Sequence, residues 1–217
     1  MHDAVTARCG RASAYVRRQD GVDMDGKRYL VRIANSDAIP VSQYRKVRER
    51  LRSALQVIGC RLNSSRISGP AIEIDFFAPD GDAGEKAVRL ASRVDKLLTV
   101  SVLSDAAEEH PGKKETLERA RALFNEERFW EVHEVVEGLW HSATGAEKSV
   151  QQGIILYAAA FVHHQKDEQE TALVMLKRAV DRINWPDDKY YAFHLGLMKK
   201  RATEMTERGA VEVFKLP

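Results

Sequence analysis

The chain has 217 residues, of which 44% are hydrophobic and 30% charged, and its formal net charge is +2. This length and composition allow two modest domains with buried cores and exclude a predominantly disordered polar chain. No apolar run approaches the roughly 18 residues that a membrane-spanning helix requires, and the first residues lack the apolar segment of a secretory signal. We therefore expect a cytoplasmic protein without a membrane partner.

The two cysteines, Cys9 and Cys60, lie in different segments and have no CxxC spacing. The sequence therefore predicts neither a disulfide framework nor a thiolate metal site. We expect Cys60 to be a small buried apolar residue.

Charge is distributed unevenly along the chain. The first 104 residues contain 18 Lys and Arg against 12 Asp and Glu, a net charge of +6, whereas the remainder contain 16 against 20, a net charge of −4. This asymmetry indicates two domains with different surfaces, and it raises nucleic acid as a partner of the basic half. Opposite charges would also help the two halves to dock.

Residues 1–25 show neither the alternation of a strand nor the apolar stripe of a helix. We predict a flexible leader over this segment, with Met24 as an alternative start of the protein.

Residues 26–104 alternate between strand and helix patterns. "KRYLVRI" reads as a strand and "VSQYRKVRERLRSALQVIG" as a helix, and "CRLNSSRIS" and "AIEIDFFAP" flank a Gly69–Pro70 turn. The helical "DAGEKAVRLASRVDKL" and the strand "LTVSVL" follow. The order βαββαβ predicts a ferredoxin-like domain over residues 26–104.

Alternation also predicts the two faces of this sheet. One face carries the apolar residues of the first and third strands, and we expect it to pack against the two helices. In this fold those strands are antiparallel neighbours, so the other face should pair Arg28 and Arg32 with Glu73 and Asp75. We interpret that face as a solvated, ion-paired surface. An RNA-binding sheet would present stacking aromatic residues there, and only Phe77 is available.

The second half of the chain has a helical period almost to its end. A polar, proline-containing linker is predicted over 105–112, followed by an all-α helical bundle over 113–210 and a C-terminal tail over 211–217. Short connections favour antiparallel neighbours. We predict helices near 113–125, 128–142, 146–166, 169–184 and 188–208.

The second of these helices contains "HEVVE", an HExxE motif. His133 and Glu137 are four residues apart and project from one face, whereas Glu134 lies about 100° around the helix axis. The motif is similar to the HExxH arrangement of zinc hydrolases, with Glu137 in place of the second histidine and Glu134 at the position of the general base. A carboxylate ligand suits Mn or Fe as well as Zn.

Further ligands are predicted from the following helix. If the helical hairpin turns near Thr144, Gln152 lies level with Glu137. His163 then lies roughly 12 Å along the axis from His133, at 1.5 Å per residue. Antiparallel packing therefore favours Gln152 over His163 as the neighbour of the motif. The alternative is that His133 is a hydrogen-bonded histidine between helices and that the glutamates pair with bases, while Trp140 packs at the core boundary.

Residues from about 115 to 183 resemble domain-of-unknown-function family 309, small all-α proteins of bacteria and archaea that are sometimes labelled metal-dependent hydrolases. The family signature "FNxGxYxEAHExLExxW" corresponds here to "FNEERFWEVHEVVEGLW", and "QGLIQxAAAxxH" corresponds to "QGIILYAAAFVH". The positions carried over are Phe124, Asn125, Glu131, His133, Glu134, Glu137, Trp140, Gln152, Gly153 and His163. The departures are Glu127 at the turn glycine, Leu156 at the second glutamine, and Lys166–Asp167 at a Gly-Asn turn.

The motif and the resemblance together imply a divalent metal ion, Zn, Mn or Fe, held by His133, Glu137 and Gln152. Glu134 is then the catalytic base that activates water for hydrolysis of an unidentified small molecule. Glu131, Trp140 and His163 take supporting positions. The alternative function is a non-catalytic helical interaction module, in which the ferredoxin-like domain mediates homodimerisation or ligand sensing.

Overall fold

The computed structural model describes residues 26–103 and 112–217. The predicted leader, the alternative start at Met24 and nearly all of the predicted linker lie outside the described residues.

The first described part contains four strands and two helices, and all six predicted elements are present to within a few residues. A 3-10 turn at Val41–Gln43 precedes the first helix, and Gly69 and Pro70 form the predicted turn of the hairpin. The elements are β1 (Lys27–Ala34), α1 (Tyr44–Val57), β2 (Arg61–Ile67), β3 (Ala71–Ala78), α2 (Gly81–Val94) and β4 (Leu97–Leu103).

The four strands form one antiparallel sheet in the order β2-β3-β1-β4. Its apolar face packs against α1 and α2, as the alternation predicted. Cys60 is buried in the same cluster, also as predicted. The core side chains of β1 and β3 are Tyr29, Val31, Ile33, Ile72, Ile74 and Phe76.

The opposite face of the sheet contains the predicted ion pairs. Arg28 Nη2 lies 2.7 Å from Asp75 Oδ2, and Arg32 Nε lies 3.2 Å from Glu73 Oε1. The prediction that this face is solvated is wrong, however, because Arg32, Glu73 and Asp75 are only 6%, 3% and 1% exposed.

Helical elements cover this charged face. The Trp130 ring lies 5.5 Å from the Arg28 guanidinium and 5.3 Å from that of Arg66. Arg32 Nη2 donates to the backbone oxygen of Glu126 at 3.5 Å, and the Ile67 N–H donates to the Gln165 oxygen at 3.0 Å. We call the surface formed by these contacts the sheet–bundle junction.

The second described part is helical with one short hairpin. Four of the five predicted helices are present to within about two residues at each end. The elements are α3 (Lys113–Asn125), α4 (Phe129–Trp140), α5 (Gly145–His164), α6 (Gln169–Arg182), β5 (Lys189–Tyr190), β6 (Phe193–His194) and α7 (Leu195–Arg208). Within the described residues, no helix is both long and apolar enough to cross a membrane.

The start predicted for the fifth helix is wrong. Residues 189–194 form a two-stranded hairpin, and α7 begins only at Leu195. Tyr190 and Phe193 are buried in the bundle core, and Tyr191 has a positive φ of 50°. His194 caps α7, since its Nδ1 accepts the Leu197 N–H at 3.1 Å.

The end of the chain packs into the bundle although it has no regular secondary structure. Asn125 donates to the Leu216 backbone oxygen and accepts the Leu216 N–H, both at 2.8 Å. Phe214 lies edge-on to Phe124 with the ring centroids 5.6 Å apart. The predicted tail at 211–217 is therefore part of the folded core.

Candidate metal centre

The helix α4 has a buried face and a face at the core boundary. Phe129, Val132 and Val136 are fully buried and recur every three to four residues, so they fix the rotation of the helix about its axis. His133 and Glu137 follow Val132 and Val136 by one position and therefore project beside the core. At the start of the helix, Arg128 makes a bidentate ion pair with Glu131 at 2.7 and 2.6 Å.

The three polar side chains of the HExxE motif converge. His133 Nδ1 lies 3.3 Å from Glu134 Oε1 and 3.7 Å from Glu137 Oε2. One donor atom from each residue lies within 4.8 Å of the other two, and no other group of three His, Cys, Asp or Glu across residues 26–103 and 112–217 meets that criterion. We call His133, Glu134 and Glu137 the HEE cluster.

Burial raises the pKa of the Glu137 carboxyl above its ordinary value of 4.5. Two smaller effects act in opposite directions: the neighbouring His133 lowers this pKa, and the charge of the neighbouring Glu134 raises it. The side chains of His133 and Glu137 are 11% and 18% exposed, whereas that of Glu134 is 40% exposed. The cluster is therefore sheltered at His133 and Glu137 and opens to solvent at Glu134.

The donor set fits a divalent cation. An imidazole nitrogen and two carboxylates are ligands that Zn, Mn and Fe all accept, and two negative charges would neutralise the ion. A cation would also remove the cost of the buried Glu137 charge, since an opposite charge within about 4–6 Å favours the ionised carboxylate. Glu134 offers its oxygen on the same side as the other two donors, so it is able to act as a ligand as well as a base.

Gln152 lies on α5, the helix that packs beside α4, and its side chain is half-buried. The adjacent Gln151 is completely buried, and it donates to the hydroxyl of Tyr190 at 2.8 Å. Of the two glutamines, Gln151 thus has a structural role in the bundle core. The assignment of Gln152 as a metal ligand stays a prediction.

His163 takes part in a different contact at the far end of α5. Its Nδ1 pairs with the Glu168 carboxylate in the turn that follows. The neighbouring Gln165 donates to the Glu127 oxygen at 2.8 Å, so this end of α5 lies beside the turn that precedes α4. Trp140, at the other end of α4, has Lys148 over its ring at 4.5 Å. The supporting positions assigned to Trp140 and His163 stay predictions.

The helical part is similar to a known family. Residues 117–175 match the DUF309 family model. The family is described as a domain of unknown function. No curated protein matches the chain. The match extends from α3 to the middle of α6 and includes the HEE cluster.

The DUF309 segment contains two turns in which a residue other than glycine has a positive φ. The resemblance places a turn glycine at Glu127 and a Gly-Asn turn at Lys166–Asp167. Glu127 has a φ of 59°, and Asp167, in the turn after α5, also has a φ of 59°. Both backbones adopt the left-handed conformation that glycine tolerates best. The Glu127 carboxylate accepts the Gly69 N–H at 2.9 Å, so this chain has a hydrogen bond to the β2–β3 turn where the pattern has glycine.

Gly153, the glycine of "QG", lies where α5 closely approaches the end of α6. A Cβ added at Gly153 would lie 2.5 Å from Ile183 Cγ1 and 3.1 Å from the Ile183 nitrogen. The close approach of α5 and the end of α6 therefore depends on this glycine.

Sequence reasoning missed one residue beside the cluster, His141. It is exposed and directly follows α4, and its proximity lowers the pKa of Glu137. The signal that would have found it is the spacing, because His141 lies four residues after Glu137, as Glu137 lies four after His133.

Proposed function

We propose that the HEE cluster binds a divalent metal ion, and that hydrolysis is the chemistry such a centre would serve. The observation that supports this proposal is the convergence of one imidazole and two carboxylates within 4.8 Å, at a site where Glu137 is half-buried. A surface cluster of acidic residues without that burial would have no comparable need for a cation.

The burial of each residue of the cluster indicates the role that it would have in the metal centre. His133 and Glu137, the more sheltered pair, hold the ion. Glu134, which faces solvent, completes the ligand set or accepts a proton from a water molecule, and Gln152 offers an amide oxygen from α5. A bound divalent ion would supply Lewis acidity, which polarises water or a substrate oxygen. The exposure of Glu134 leaves a side on which a small molecule is able to approach.

Calorimetric titration of the chelator-treated protein with Zn²⁺ and Mn²⁺ tests the proposal. We expect near-stoichiometric binding that is lost in Glu137→Ala and in His133→Ala. Glu170→Ala, which removes an exposed carboxylate from α6, is the matched control and should bind as the unaltered protein does. Equal binding by Glu137→Ala and the control would refute the assignment.

Hydrolysis is tested separately on the metal-loaded protein with a panel of ester and phosphoester substrates. Glu134→Gln should abolish turnover if Glu134 is the base, while metal binding weakens only modestly. If metal binding and turnover fall in parallel, Glu134 is a ligand.

We further propose that the first described part is a ferredoxin-like domain. The order β1-α1-β2-β3-α2-β4 and the sheet order β2-β3-β1-β4 support this classification. Because the charged face of the sheet is covered at the sheet–bundle junction, nucleic acid has no access to it there. This coverage favours a structural role for the basic half over RNA binding.

The alternative function, a non-catalytic interaction module, is supported by the fact that the junction joins the two parts through buried polar contacts. In that case the HEE cluster would stabilise the apo protein by itself, and metal would be irrelevant to stability.

A further inference from the structure

The two edges of the sheet differ in how they are protected. Along β2, Arg61 and Arg66 provide charge, the register shifts between Leu62 and Ser64, and the Ile67 N–H is bonded to the Gln165 oxygen. Charges, bulges and a covering segment are the usual means by which an edge strand avoids pairing with another chain. By these criteria β2 is a protected edge.

Among residues 26–103 and 112–217, nothing protects the other edge, β4, in this way over most of its length. Its sequence, "LLTVSVL", contains neither a charge nor a proline. The one register shift against β1 lies near its start, and from Thr99 to Leu103 the pairing is continuous. In the described residues no strand pairs with the outer side of β4. This stretch therefore presents unpaired backbone groups in a regular, uncharged array.

An exposed apolar stripe accompanies this edge. Val100 and Val102 lie opposite Val31 and Tyr29 of β1, and so project from the face that carries the core. They are nevertheless 41% and 54% exposed, because α1 and α2 pack mainly over the other three strands. Leu98, on the same strand, is 40% exposed. A stripe of this kind along an unprotected edge is typical of an interaction surface.

We propose that β4 pairs with β4 of a second copy of this chain, so that two sheets continue into one. A strand without charges is self-complementary, since antiparallel pairing about a two-fold axis brings no like charges together. If the axis passes near Ser101, the middle of the regular stretch, Val100 of each copy lies opposite Val102 of the other. The apolar stripes then cover each other on one face of the joined sheet.

The segments of the chain outside the described residues fit this surface less well than a second copy does. Residues 104–111 read "SDAAEEHP" and are mainly polar and acidic, and the three valines of residues 1–25, Val5, Val16 and Val22, lie at least six residues apart. The one alternating apolar stretch of residues 1–25, Ala12, Ala14 and Val16, consists mostly of alanine and offers the stripe less apolar surface than the two valines of a second β4. The proposal is independent of metal binding, because β4 contributes nothing to the HEE cluster.

Sedimentation equilibrium of the full chain tests the pairing. Because the interface is small, below about 1,200 Å², we expect a monomer–dimer equilibrium in the micromolar range. Val102→Glu should shift it to monomer, as should Val100→Glu, since each places a carboxylate of each copy beside the axis, within the apolar stripe and opposite a valine of the other copy. Val174→Glu alters a residue of equal exposure on α6 and should leave the equilibrium unchanged, with circular dichroism confirming that all variants fold.

Cross-linking tests the position of the axis. In a Cys9→Ser background, Ser101→Cys should form an intermolecular disulfide on mild oxidation, because directly opposite residues of antiparallel strands lie about 4.5–5.5 Å apart at Cα. Ser53→Cys, an exposed serine on α1, should not. A wild-type protein that stays monomeric at high concentration, or a dimer that survives both glutamate variants, would overturn the proposal.

Discussion

At the residue scale, the carboxylate of Glu137 determines how the HEE cluster responds to pH. Its pKa is raised in the folded protein, mainly because the group is partly buried. The folded state therefore binds this proton more tightly than the unfolded state does. The resulting stability is fully present below the ordinary pKa of 4.5 and is lost as pH rises through the higher folded-state value. Above that folded-state pKa, the ionised Glu137 destabilises the metal-free protein.

Glu137→Gln removes this charge and keeps the shape of the side chain. We expect the melting temperature of the metal-free variant to rise at pH 7, because the variant no longer buries a charge at this position. A gain of about 1 kcal/mol corresponds to roughly 2–4 °C in a protein of this size. Zn²⁺ or Mn²⁺ at about 100 times the Kd should stabilise the unaltered protein by about 2.7 kcal/mol and leave the variant unchanged. Differential scanning fluorimetry measures both effects. A lower melting temperature without metal would indicate that Glu137 is a structural partner of His133.

At the element scale, the turn between α3 and α4 combines an unfavourable backbone with a favourable side-chain contact. Glu127 holds a φ of 59°, which costs a non-glycine residue of the order of 1–2 kcal/mol, and its carboxylate bonds the Gly69 N–H. Glu127→Ala retains the strained backbone but loses the bond, so we expect a loss of about 1 kcal/mol. Glu127→Gly loses the bond but relieves the strain, and should be nearly neutral.

Urea unfolding of these two variants measures the difference between them. A variant of a neighbouring exposed glutamate, Glu126→Ala, controls for the charge change, although it also removes a contact to Arg128. If Glu127→Ala and Glu127→Gly were equally destabilised, backbone strain at this turn would be unimportant.

The packing of α5 against α6 gives a second prediction at this scale. Gly153→Ala would place its Cβ 2.5 Å from a side-chain atom of Ile183 and close to two backbone atoms. Because backbone atoms cannot move without shifting a helix, we expect a loss of about 1–3 kcal/mol. Ile183→Val in the same background removes a methyl group and should recover part of it. Thermal unfolding of the four proteins in this cycle would detect the coupling, and strictly additive effects would contradict it.

The elements also explain which parts of the fold the sequence could predict. The strands and helices from β1 to α6 could be predicted because their apolar residues recur at every second position in strands and at every third or fourth position in helices. The hairpin at 189–194 was missed because Tyr190 and Phe193 fit a helical period as well as a strand. Its turn, at Tyr191 with a positive φ, has no glycine or asparagine to mark it.

In the candidate site, too, the sequence predicted one feature and missed another. The spacing of His133 and Glu137 brings their side chains together through helix geometry alone, so their proximity was predictable. Burial of Glu137, which depends on how α4 packs in the bundle, was not. His141 has the same four-residue spacing from Glu137, but as an isolated polar residue outside the HExxE motif it was given no role.

At the scale of the whole molecule, the sheet–bundle junction joins the two halves through buried charges. Alternation predicted the pairing of Arg32 with Glu73, but it could not predict that the pair is buried. The same pattern of charges would occur on a sheet face that is covered by water and on one that is covered by a second layer of protein. The two halves carry net charges of opposite sign, and this asymmetry is consistent with docking of the two halves.

Glu73 is the central acceptor of this junction. Its Oε2 accepts Arg66 Nε at 2.5 Å and its Oε1 lies 3.2 Å from Arg32 Nε, while all three side chains are less than 10% exposed. Arg66 in turn lies under the ring of Trp130, which belongs to the bundle. Removing the Glu73 charge therefore leaves two buried guanidinium groups without their shared counter-charge.

Glu73→Gln should consequently lower the free energy of unfolding by about 3–5 kcal/mol, the usual cost of removing one partner from a buried ion pair. Glu49→Gln breaks an exposed pair with Arg52 on α1 and should change stability by less than about 1 kcal/mol. Urea unfolding, followed by circular dichroism, provides the comparison. The indole N–H resonance of Trp130 in NMR spectra reports the junction directly, and it should shift in Glu73→Gln but not in Glu49→Gln. If the Trp130 resonance and the stability were both unchanged, the charges would contribute nothing to docking, and apolar contacts alone would hold the bundle on the sheet.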